Sequence, residues 1–436
     1  MWAKELERVT RGCWHQLEKD IELQGALCDS RLINEEVFVA LEDERDGHDF
    51  VEAAFAKGAR AAIVKRPVGN GPCLVVDDPE KALQAWATEH RRRLTAKIVA
   101  VVGSVGKTTA KEMLFTLLST VANVCKSPRS YNNHLGVPMT LLSADENTEV
   151  VIVEMGANGP GDLDLLGRIV EPDYLMVVPI AEAHLQGFKN IEGVRRAKAE
   201  ILNHLSSDAL VVWPYDKDLH SAWPWSGKTI SYGAEAPADC YPENNHIDFP
   251  NCFFKIDGKE LSLAIPALYL GEMVSGIWAL VNEMGYHPSV KAIESFVAAS
   301  GRLEVLKQGD ITLINDAYNA NPASVHHGIE ILSMAKGRRI LVFADMLEMG
   351  DHSHFWHQEV GRQACGKIDM LVTVGVEARQ AAASFVGTCH SFQTKEECQE
   401  FLLQSIRAGD KILIKGSNAM KLNELARELL PLKVGA

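Results

Sequence analysis

The chain has 436 residues, and we expect two to four domains because single hydrophobic cores rarely grow beyond about 250–300 residues. Hydrophobic residues make up 47% and charged residues 23%, which is typical of a soluble globular protein. A net charge of -14 argues against nucleic acid as the main partner, because such binding depends on Lys and Arg neutralising phosphates.

The N-terminus lacks an apolar signal region, and no apolar run approaches the roughly 18 residues that span a bilayer. We therefore expect no membrane span and a cytoplasmic location. The 9 cysteines include no Cys-x-x-Cys pair, which favours reduced thiols over a disulfide framework or a zinc site.

Residues 1–85 alternate short strands and helices, and we expect them to form an N-terminal domain. Apolar segments at 37–41, 61–64 and 73–76 predict strands, and residues 50–57 predict a helix. Ser30 and Arg31 lie in a turn before these strands, and His48 lies in the turn that opens the helix. From the residues alone, Ser30 and Arg31 fit a solvated turn as well as a binding site.

A phosphate loop is predicted in the central region, residues 86–300, at Gly103-Ser104-Val105-Gly106-Lys107-Thr108-Thr109. The buried strand predicted at 97–102 and the helix at 110–120 flank it. Two glycines let backbone N–H groups face an anion, Lys107 reaches the outer phosphates, and the Thr108 hydroxyl can bind magnesium. The alternative is a glycine turn with an incidental lysine, but the flanking strand and helix favour a phosphate loop.

Polar residues follow the next strands of the same predicted sheet. The strand at 150–153 ends at Glu154, where a carboxylate can hold magnesium beside Thr108. His184 follows the strand at 174–180 and fits either a structural histidine or a metal ligand.

Three further stretches complete the central region. Asn132 and Asn133 lie in a polar turn after the loop helix. Residues 191–205 predict a helix containing Lys198, which the sequence does not distinguish from a solvent-facing lysine. Residues 226–265 predict a small antiparallel insertion.

A third α/β region is predicted from Gly301-Arg302 to residue 436. Strands at 311–314, 339–343, 370–374 and 411–414 alternate with helices. Polar residues again follow strand ends, namely Asp316, Asn319, Asn321 and Lys415. We expect this edge to face the phosphate loop across a cleft.

The order of motifs resembles the Mur ligase family, the ATP-dependent enzymes that add amino acids to the peptidoglycan precursor. The resemblance covers almost the whole chain, and the joint order of the motifs is highly specific. The stretches that carry it are Asp29-Ser30-Arg31, 38–41, 46–50, 103–109 with Lys111-Glu112-Met113, Asn132-Asn133 with Gly136-Val137-Pro138, 154–158, 183–185 with Gly187-Phe188, Gly301-Arg302, 316–322, Asp345-Met346 with Glu348 and Gly350, and Lys415-Gly416-Ser417. Within the family, the likeness is strongest to members that add D-alanyl-D-alanine to UDP-N-acetylmuramoyl-tripeptide.

The resemblance implies an α/β fold of three domains, with a central P-loop doubly wound sheet and a C-terminal Rossmann-like domain. Residues 1–85 would hold the UDP-sugar peptide, residues 86–300 would bind ATP, and residues 301–436 would help to bind ATP and present the incoming amine. The implied reaction converts a carboxylate into an acyl phosphate, which the amine of D-alanyl-D-alanine then attacks. We expect this ligase of peptidoglycan synthesis to be a monomer.

The resemblance also implies roles for individual residues. Catalytic roles fall to Lys107, His184, Lys198 and Arg302. ATP contacts fall to 103–109, Asp316 and Asn319. Two Mg²⁺ ions are implied, the first held by Thr108 and Glu154, the second by His184 and a carbamylated Lys198. Substrate contacts fall to Ser30, Arg31, His48, Asn132, Asn133, Asn321 and Lys415.

Several positions depart from the family pattern, namely Pro214, Met273, Gly159, Asn418 and the turn Ala267-Leu268-Tyr269-Leu270. Pro214 and Met273 stand where the family usually has asparagines that help to hold the nucleotide base. Two alternatives to the leading function therefore stay open. One is a Mur-ligase-like paralogue that joins another amine to a related carboxylate, and the other is a non-catalytic binding or regulatory homologue.

Overall fold

The computed structural model describes residues 1–182 and 185–429, and it contains four β-sheets. Three sheets of five or six strands, mostly parallel, follow one another along the chain and define a first, a central and a C-terminal unit. The α/β fold class is thus confirmed. None of the helices in the described residues combines the length and apolarity that a membrane crossing requires.

The first unit contains the strands predicted near 37–41, 61–64 and 73–76. Its strands are β1 Cys13–His15, β2 Ala26–Leu27, β3 Val37–Val39, β4 Ala62–Val64 and β5 Cys73–Val75, and its helices are α1 Ala3–Thr10, α2 Val51–Ala56 and α3 Pro79–Arg93. The sheet order is β1-β5-β4-β3-β2, with only β1 antiparallel to its neighbour. The predicted helix at 50–57 is preceded by a 3₁₀ turn, Gly47–Phe50, which the Asp46 carboxylate caps.

The central unit is built on a six-stranded parallel sheet with the order β11-β10-β9-β6-β8-β7. Its strands are β6 Lys97–Val102, β7 Val124–Lys126, β8 Val150–Glu154, β9 Tyr174–Val177, β10 Leu210–Pro214 and β11 Lys228–Tyr232. Its helices are α4 Lys107–Leu118, α5 Gly136–Leu142, α6 Asp162–Val170, α7 Leu185–Phe188, α8 Ile191–Ala199, α9 Lys217–Ala222 and α10 Tyr269–Glu283. Since β6 lies between β8 and β9, the chain changes direction across the sheet at β6, where such sheets bind ligands.

Two predicted boundaries in the central unit are wrong. The insertion predicted at 226–265 starts later, because β11 pairs in parallel with β10 as an edge strand of the central sheet. Only β12 Glu243–Asp248, β13 Asn251–Ile256 and β14 Lys259–Leu263 form the antiparallel sheet. The helix predicted at 191–205 ends as α8 at Ala199, and a 3₁₀ segment, Glu200–His204, continues from it.

Helix α3 joins the first two units. Asp78 caps its N-terminus by accepting hydrogen bonds from two backbone N–H groups, and Pro79 follows at the first helical position. The helix packs against α1 of the first unit and against α5 and α6 of the central unit. The domain boundary predicted at residue 85 therefore falls inside a continuous helix, and the three domain limits stay predictions.

The C-terminal unit has the sheet order β15-β16-β20-β17-β18-β19, with only the edge strand β15 antiparallel. Its strands are β15 Glu304–Gln308, β16 Ile311–Asp316, β17 Arg339–Ala344, β18 Met370–Val374, β19 Thr388–Phe392 and β20 Lys411–Lys415. Its helices are α11 Pro322–Ser333, α12 Ser353–Ala364, α13 Arg379–Ser384, α14 Lys395–Ser405 and α15 Leu422–Glu428. The strands predicted in this region are all present.

Candidate active site

A cleft of about 520 Å³ lies between the central and C-terminal units. The phosphate loop, the end of β8 and the turn before α5 line it on the central side. The ends of β16 and β20 and the first turns of α11 line it on the other side. The two ligand edges predicted from strand ends therefore face one shared cavity.

The phosphate loop has the backbone that its glycines permit. Gly103 has a φ of 143°, and a Cβ there would lie 2.4 Å from the carbonyl oxygen of Val178, so no side chain fits. Gly106 has a φ of 93° and is the N-cap of α4. The loop thus presents the N-terminus of a twelve-residue helix to the cleft, a ready position for an anion.

Lys107 has no carboxylate partner among the described residues. Its ammonium group donates to the carbonyl oxygens of Gly103 at 2.9 Å and Ser104 at 3.4 Å, within its own loop. Burial lowers the pKa of Lys107, and the nearby Arg302 charge adds to this, while Glu154 opposes it. A phosphate entering the loop would supply the anion that this cation lacks.

Thr108 and Glu154 meet beneath the loop because Val101 of β6 is in register with Glu154 of β8. The Thr108 hydroxyl donates to Glu154 Oε2 at 2.7 Å, and Asn132 Nδ2 donates to Glu154 Oε1 at 2.8 Å. Glu154 is only 1% exposed. A hydroxyl and a carboxylate at this edge are the hard oxygen donors that Mg²⁺ prefers.

Lys198 on α8 is 2% exposed. Among the described residues, its ammonium group has no hydrogen bond and no ion pair, and its contact is with the ring of Phe188, 5.8 Å from Nζ to the centroid. Burial, with a further contribution from the Lys107 charge, lowers the pKa of Lys198 to about 7. His184, the other residue predicted for the second metal, lies outside the described residues.

Arg302 reaches the cleft from the segment before β15. Its guanidinium donates from Nη2 to the Ser130 hydroxyl at 2.9 Å, and its Cζ lies 3.9 Å from the ring centroid of Tyr318. The Ser130 contact joins the C-terminal unit to the turn before α5. Neither Ser130 nor Tyr318 is among the site residues predicted from the sequence.

Asp316 and the buried Lys415 form an ion pair at the ends of β16 and β20, which are neighbours in the sheet. Lys415 Nζ lies 2.5 Å from Asp316 Oδ2 and donates to the carbonyl oxygen of Asn319 at 3.1 Å. Asp316 Oδ1 also accepts from the backbone N–H of Leu303 at 3.1 Å, which anchors the segment that carries Arg302.

Two predicted asparagines of the cleft accept hydrogen bonds from backbone N–H groups at the starts of helices. Asn321 forms a reciprocal capping box with Ser324 at the start of α11. Asn133 Oδ1 accepts from the backbone N–H of Gly136 at 2.9 Å, at the start of α5. Both residues also line the cleft, so the start of each helix lies beside the cavity.

The predicted substrate residues of the first unit lie away from this cleft. The Arg31 guanidinium is largely exposed and forms a bidentate pair with the Asp29 carboxylate, whose pKa it lowers. His48 is 2% exposed, with Nδ1 against Asp46 and Nε2 accepting from the backbone N–H of Lys65. The His48 ring thus holds its own turn in place, and the substrate roles of Ser30, Arg31 and His48 stay predictions.

The cleft also has an aromatic wall that the sequence did not reveal. The rings of Tyr269 on α10 and His327 on α11 lie 5.6 Å apart, and both line the cavity. Neither makes a side-chain hydrogen bond to another described residue. One feature of the sequence points to Tyr269 as a cleft residue. It lies four residues before Met273, a position expected near the nucleotide base, and therefore on the same face of α10.

Met273 and Pro214, which replace the two expected asparagines, do not line the cleft. Met273 is 1% exposed, and its methyl group lies 2.9 Å from where a Cβ on Gly106 would be. Pro214 ends β10, and its carbonyl oxygen is 3.0 Å from Nε2 of His220. Met273 therefore fills the space directly behind the phosphate loop.

Two family models match the chain. The Mur ligase middle domain matches residues 101–273, and the Mur ligase, glutamate ligase domain matches residues 301–418. The first match contains the phosphate loop and Glu154, and the second contains Arg302, Asp316 and Lys415.

Curated relatives match over nearly the full length. The UDP-N-acetylmuramoyl-tripeptide D-alanyl-D-alanine ligase of Bacillus subtilis is 33% identical over 427 residues, which cover 94% of this chain and 93% of the relative. The ligase of the same name from Escherichia coli is 31% identical over 428 residues, with 94% of each chain covered.

Solved structures match in the same way. The crystal structure of MurF from Acinetobacter baumannii has a TM-score of 0.89 and 29% identity, covering 99% of this chain and 98% of the other. MurF from Thermotoga maritima in complex with ADP has a TM-score of 0.82 and 26% identity, covering 93% of this chain and 97% of the other.

Proposed function

The chain belongs to the Mur ligase family, and on that premise we propose that it is an ATP-dependent amide ligase that joins D-alanyl-D-alanine to the carboxylate of UDP-N-acetylmuramoyl-tripeptide. The observation that carries the proposal is the shared cleft, in which Lys107 and Glu154 of the central unit face Arg302 and Lys415 of the C-terminal unit. A cleft with an anion site on one wall and cations on the other suits the transfer of a phosphoryl group between two bound substrates.

The phosphate loop would bind the phosphates of ATP through its backbone N–H groups and Lys107. A carboxylate is a poor electrophile, so the γ-phosphoryl group is transferred to a carboxylate oxygen with release of ADP. The amine of D-alanyl-D-alanine then attacks the acyl carbon, an amide bond forms, and phosphate and a proton leave. Lys107 and Arg302 would stabilise the charge that develops on the phosphoryl oxygens.

The residues present fit a magnesium site. Thr108 and Glu154 would hold one Mg²⁺, and their oxygens are buried yet adjacent to the phosphate loop. When bound, Mg²⁺ supplies charge neutralisation and orients the phosphates. Asn132 fixes the orientation of the Glu154 carboxylate through its amide.

A carbamylated Lys198 would contribute to a second Mg²⁺ with His184. An amine with a pKa of about 7 is about half unprotonated at pH 7, and the neutral amine reacts with carbon dioxide to give a carbamate and a proton. The carbamate would bring an anionic oxygen to a buried lysine that has no carboxylate partner among the described residues. Two ions, a monomeric state and a cytoplasmic location belong to the same proposal.

Phosphate release with UDP-N-acetylmuramoyl-tripeptide, ATP and Mg²⁺ tests the proposal, with and without D-alanyl-D-alanine. We expect sustained release only when the dipeptide is present, together with the pentapeptide product in mass spectrometry. Stimulation by another amine instead would favour the paralogue, and nucleotide binding without release under any condition would favour the non-catalytic homologue. The Lys107→Ala variant controls for a contaminating ATPase.

A further inference from the structure

Lys111, one helical turn after Lys107 on α4, is a buried cation that the proposed reaction does not use. Its side chain is 0% exposed. Its ammonium group donates to the carbonyl oxygen of Ser127 at 2.9 Å and to that of Arg129. It also lies 3.5 Å from Glu154 Oε2 and 3.4 Å from Glu112 Oε1. A buried ammonium group is expensive unless its hydrogen-bonding capacity is met, and here four oxygens surround it.

The carbonyl groups that Lys111 binds belong to the turn between β7 and α5, which we call the Ser127–Asn132 turn. Ser127 accepts from the backbone N–H of Glu154 through its hydroxyl, at 3.0 Å. Ser130 accepts from Arg302, and Asn132 donates to Glu154. One turn thus touches both the predicted metal ligand and the predicted catalytic arginine.

The backbone of this turn is strained where Lys111 binds it. Arg129 has a φ of 46°, a conformation that costs a non-glycine residue free energy. The Arg129 side chain is exposed, so it contributes no packing that would hold this conformation. The hydrogen bond from Lys111 to the Arg129 carbonyl is therefore an interaction that can retain the turn in its strained form.

We propose that Lys111 is a positioning residue that orients the Glu154 carboxylate for Mg²⁺ and holds the Ser127–Asn132 turn where Ser130 receives Arg302. The inference rests on the proposed function for its account of Glu154 and Arg302. One buried ammonium group then couples the geometry of the metal site to the docking of the C-terminal unit. Lys107 binds the substrate, and Lys111 acts only through other protein groups.

The first test measures ADP affinity of the full chain by calorimetry, with Mg²⁺ and with EDTA, in the natural protein and in Lys111→Gln. The ratio of ADP affinity with Mg²⁺ to ADP affinity in EDTA measures the contribution of the metal ion to binding. The contribution of the phosphate loop is present in both affinities and cancels in the ratio. We expect this ratio to fall about tenfold or more in Lys111→Gln, the range usual for loss of a residue that supports a metal ligand, while affinity in EDTA changes little. Lys126→Gln, on the neighbouring strand β7, removes a partly exposed lysine that also binds Glu112 and should leave the ratio unchanged.

Three outcomes would overturn the inference. An equal loss of affinity with and without Mg²⁺ would mean that Lys111 serves only folding. A higher ratio in Lys111→Gln would mean that Lys111 merely competes with Mg²⁺ for the Glu154 charge. A natural protein whose ADP affinity does not respond to Mg²⁺ would remove the metal site itself. Because ADP binding needs no ligase turnover, failure of the phosphate-release assay leaves this test readable.

If Lys111→Gln is too unstable to purify, Arg129→Gly supplies a stabilised background. Glycine adopts a φ of 46° without strain. This change therefore lowers the free-energy cost of the backbone conformation at position 129 when Lys111 is absent. We expect Lys111→Gln/Arg129→Gly to fold and yet to keep the reduced Mg²⁺ ratio, measured against Arg129→Gly alone. Full recovery of the ratio in the double variant would contradict a direct effect of Lys111 on Glu154.

The second test is a double-mutant cycle on kcat. Ser130→Ala removes the acceptor of Arg302 and leaves the backbone bonds to Lys111 in place. If Lys111 acts on Arg302 through Ser130, the effects of Lys111→Gln and Ser130→Ala on kcat are not additive. Strictly additive effects would show that Lys111 does not control the docking of Arg302.

Discussion

The hydroxyl of Thr108 donates to the Glu154 carboxylate at 2.7 Å and joins the first turn of α4 to the end of β8. The bond links two parallel strands, β6 and β8, through the helix that follows β6 and the last residue of β8, and it is buried. A metal ligand pair that is already in contact needs little rearrangement to accept an ion.

Lys107→Ala should lower kcat by about 10²–10³-fold, the usual cost of removing one group that stabilises developing charge in a transition state. The melting temperature should change little, because the hydrogen bonds of the Lys107 ammonium group within residues 1–182 and 185–429 go to carbonyl groups of its own loop. Steady-state kinetics and a thermal melt measure the two effects. Lys81→Ala, at an exposed lysine of α3, is the control, and wild-type turnover in Lys107→Ala would refute the assignment.

Lys198→Ala should be inactive and should regain part of its activity when a short carboxylic acid is supplied in solution. The acid would replace the oxygen ligand of the proposed carbamate in the space that the side chain leaves. Activity as a function of acetate concentration measures the rescue, and Lys189→Ala, at an exposed lysine before α8, should show none. A natural protein that is fully active after exhaustive removal of carbon dioxide would contradict the carbamate.

Lys198→Met should stabilise the protein in a manner that depends on pH. The folded-state pKa of Lys198 is about 7, below its ordinary value of 10.5, so between these pH values the unfolded chain binds more protons than the folded one. The natural protein therefore gains stability as the pH rises through this window, by at most about 1.4 kcal/mol per unit from this group. Below pH 7, Lys198 is protonated in both states, and the full cost of burying its charge is subtracted from the free energy of unfolding.

The measurement is the difference in free energy of unfolding between Lys198→Met and the natural protein. We expect the advantage of the variant to be largest near pH 7 and to shrink towards pH 10. Buffers free of carbon dioxide and Mg²⁺ keep the amine unmodified. A difference that stays constant with pH would mean that Lys198 is protonated in the folded protein throughout.

The natural protein should bind ATP weakly and with little preference over GTP, because Pro214 and Met273 offer no amide to a base. Each hydrogen bond to a base is worth about 0.5–1.5 kcal/mol, so the lack of both should lower ATP affinity by up to roughly a hundredfold. Dissociation constants for both nucleotides provide the comparison. Tight and strongly adenine-selective binding by the natural protein would defeat this prediction.

Arg31→Ala should weaken the binding of UDP-N-acetylmuramoyl-tripeptide and leave ATP affinity unchanged. Its guanidinium is exposed and paired with only one carboxylate, so its loss should not disturb the fold. Calorimetry with each substrate separates the two affinities, and Arg60→Ala, which also removes a surface ion pair of the first unit, is the control. A loss of ATP affinity with unchanged affinity for UDP-N-acetylmuramoyl-tripeptide would mean that the nucleotide-sugar does not bind at Arg31.

The phosphate loop and most strands could be predicted because their signals are local. The apolar run at 97–102 is strand β6 with the same bounds, and the glycines at 103 and 106 both adopt positive φ. Predicted helix ends were less accurate. Nothing in residues 191–205 indicates that α8 ends at Ala199, because the same polar and apolar spacing continues into the 3₁₀ segment.

The sequence alone determined the order of strands, loops and polar strand ends, because alternation of apolar residues and glycine spacing act over a few neighbouring residues. Only the tertiary structure decided that β11 joins the central sheet, that Met273 packs behind Gly106, and that Lys111 reaches the Ser127–Asn132 turn. These contacts join residues far apart in the chain, and the short-range periodicity of a single sequence does not encode them. Burial then gives Lys198 its low pKa, since desolvation depends on the whole surrounding fold and not on adjacent residues.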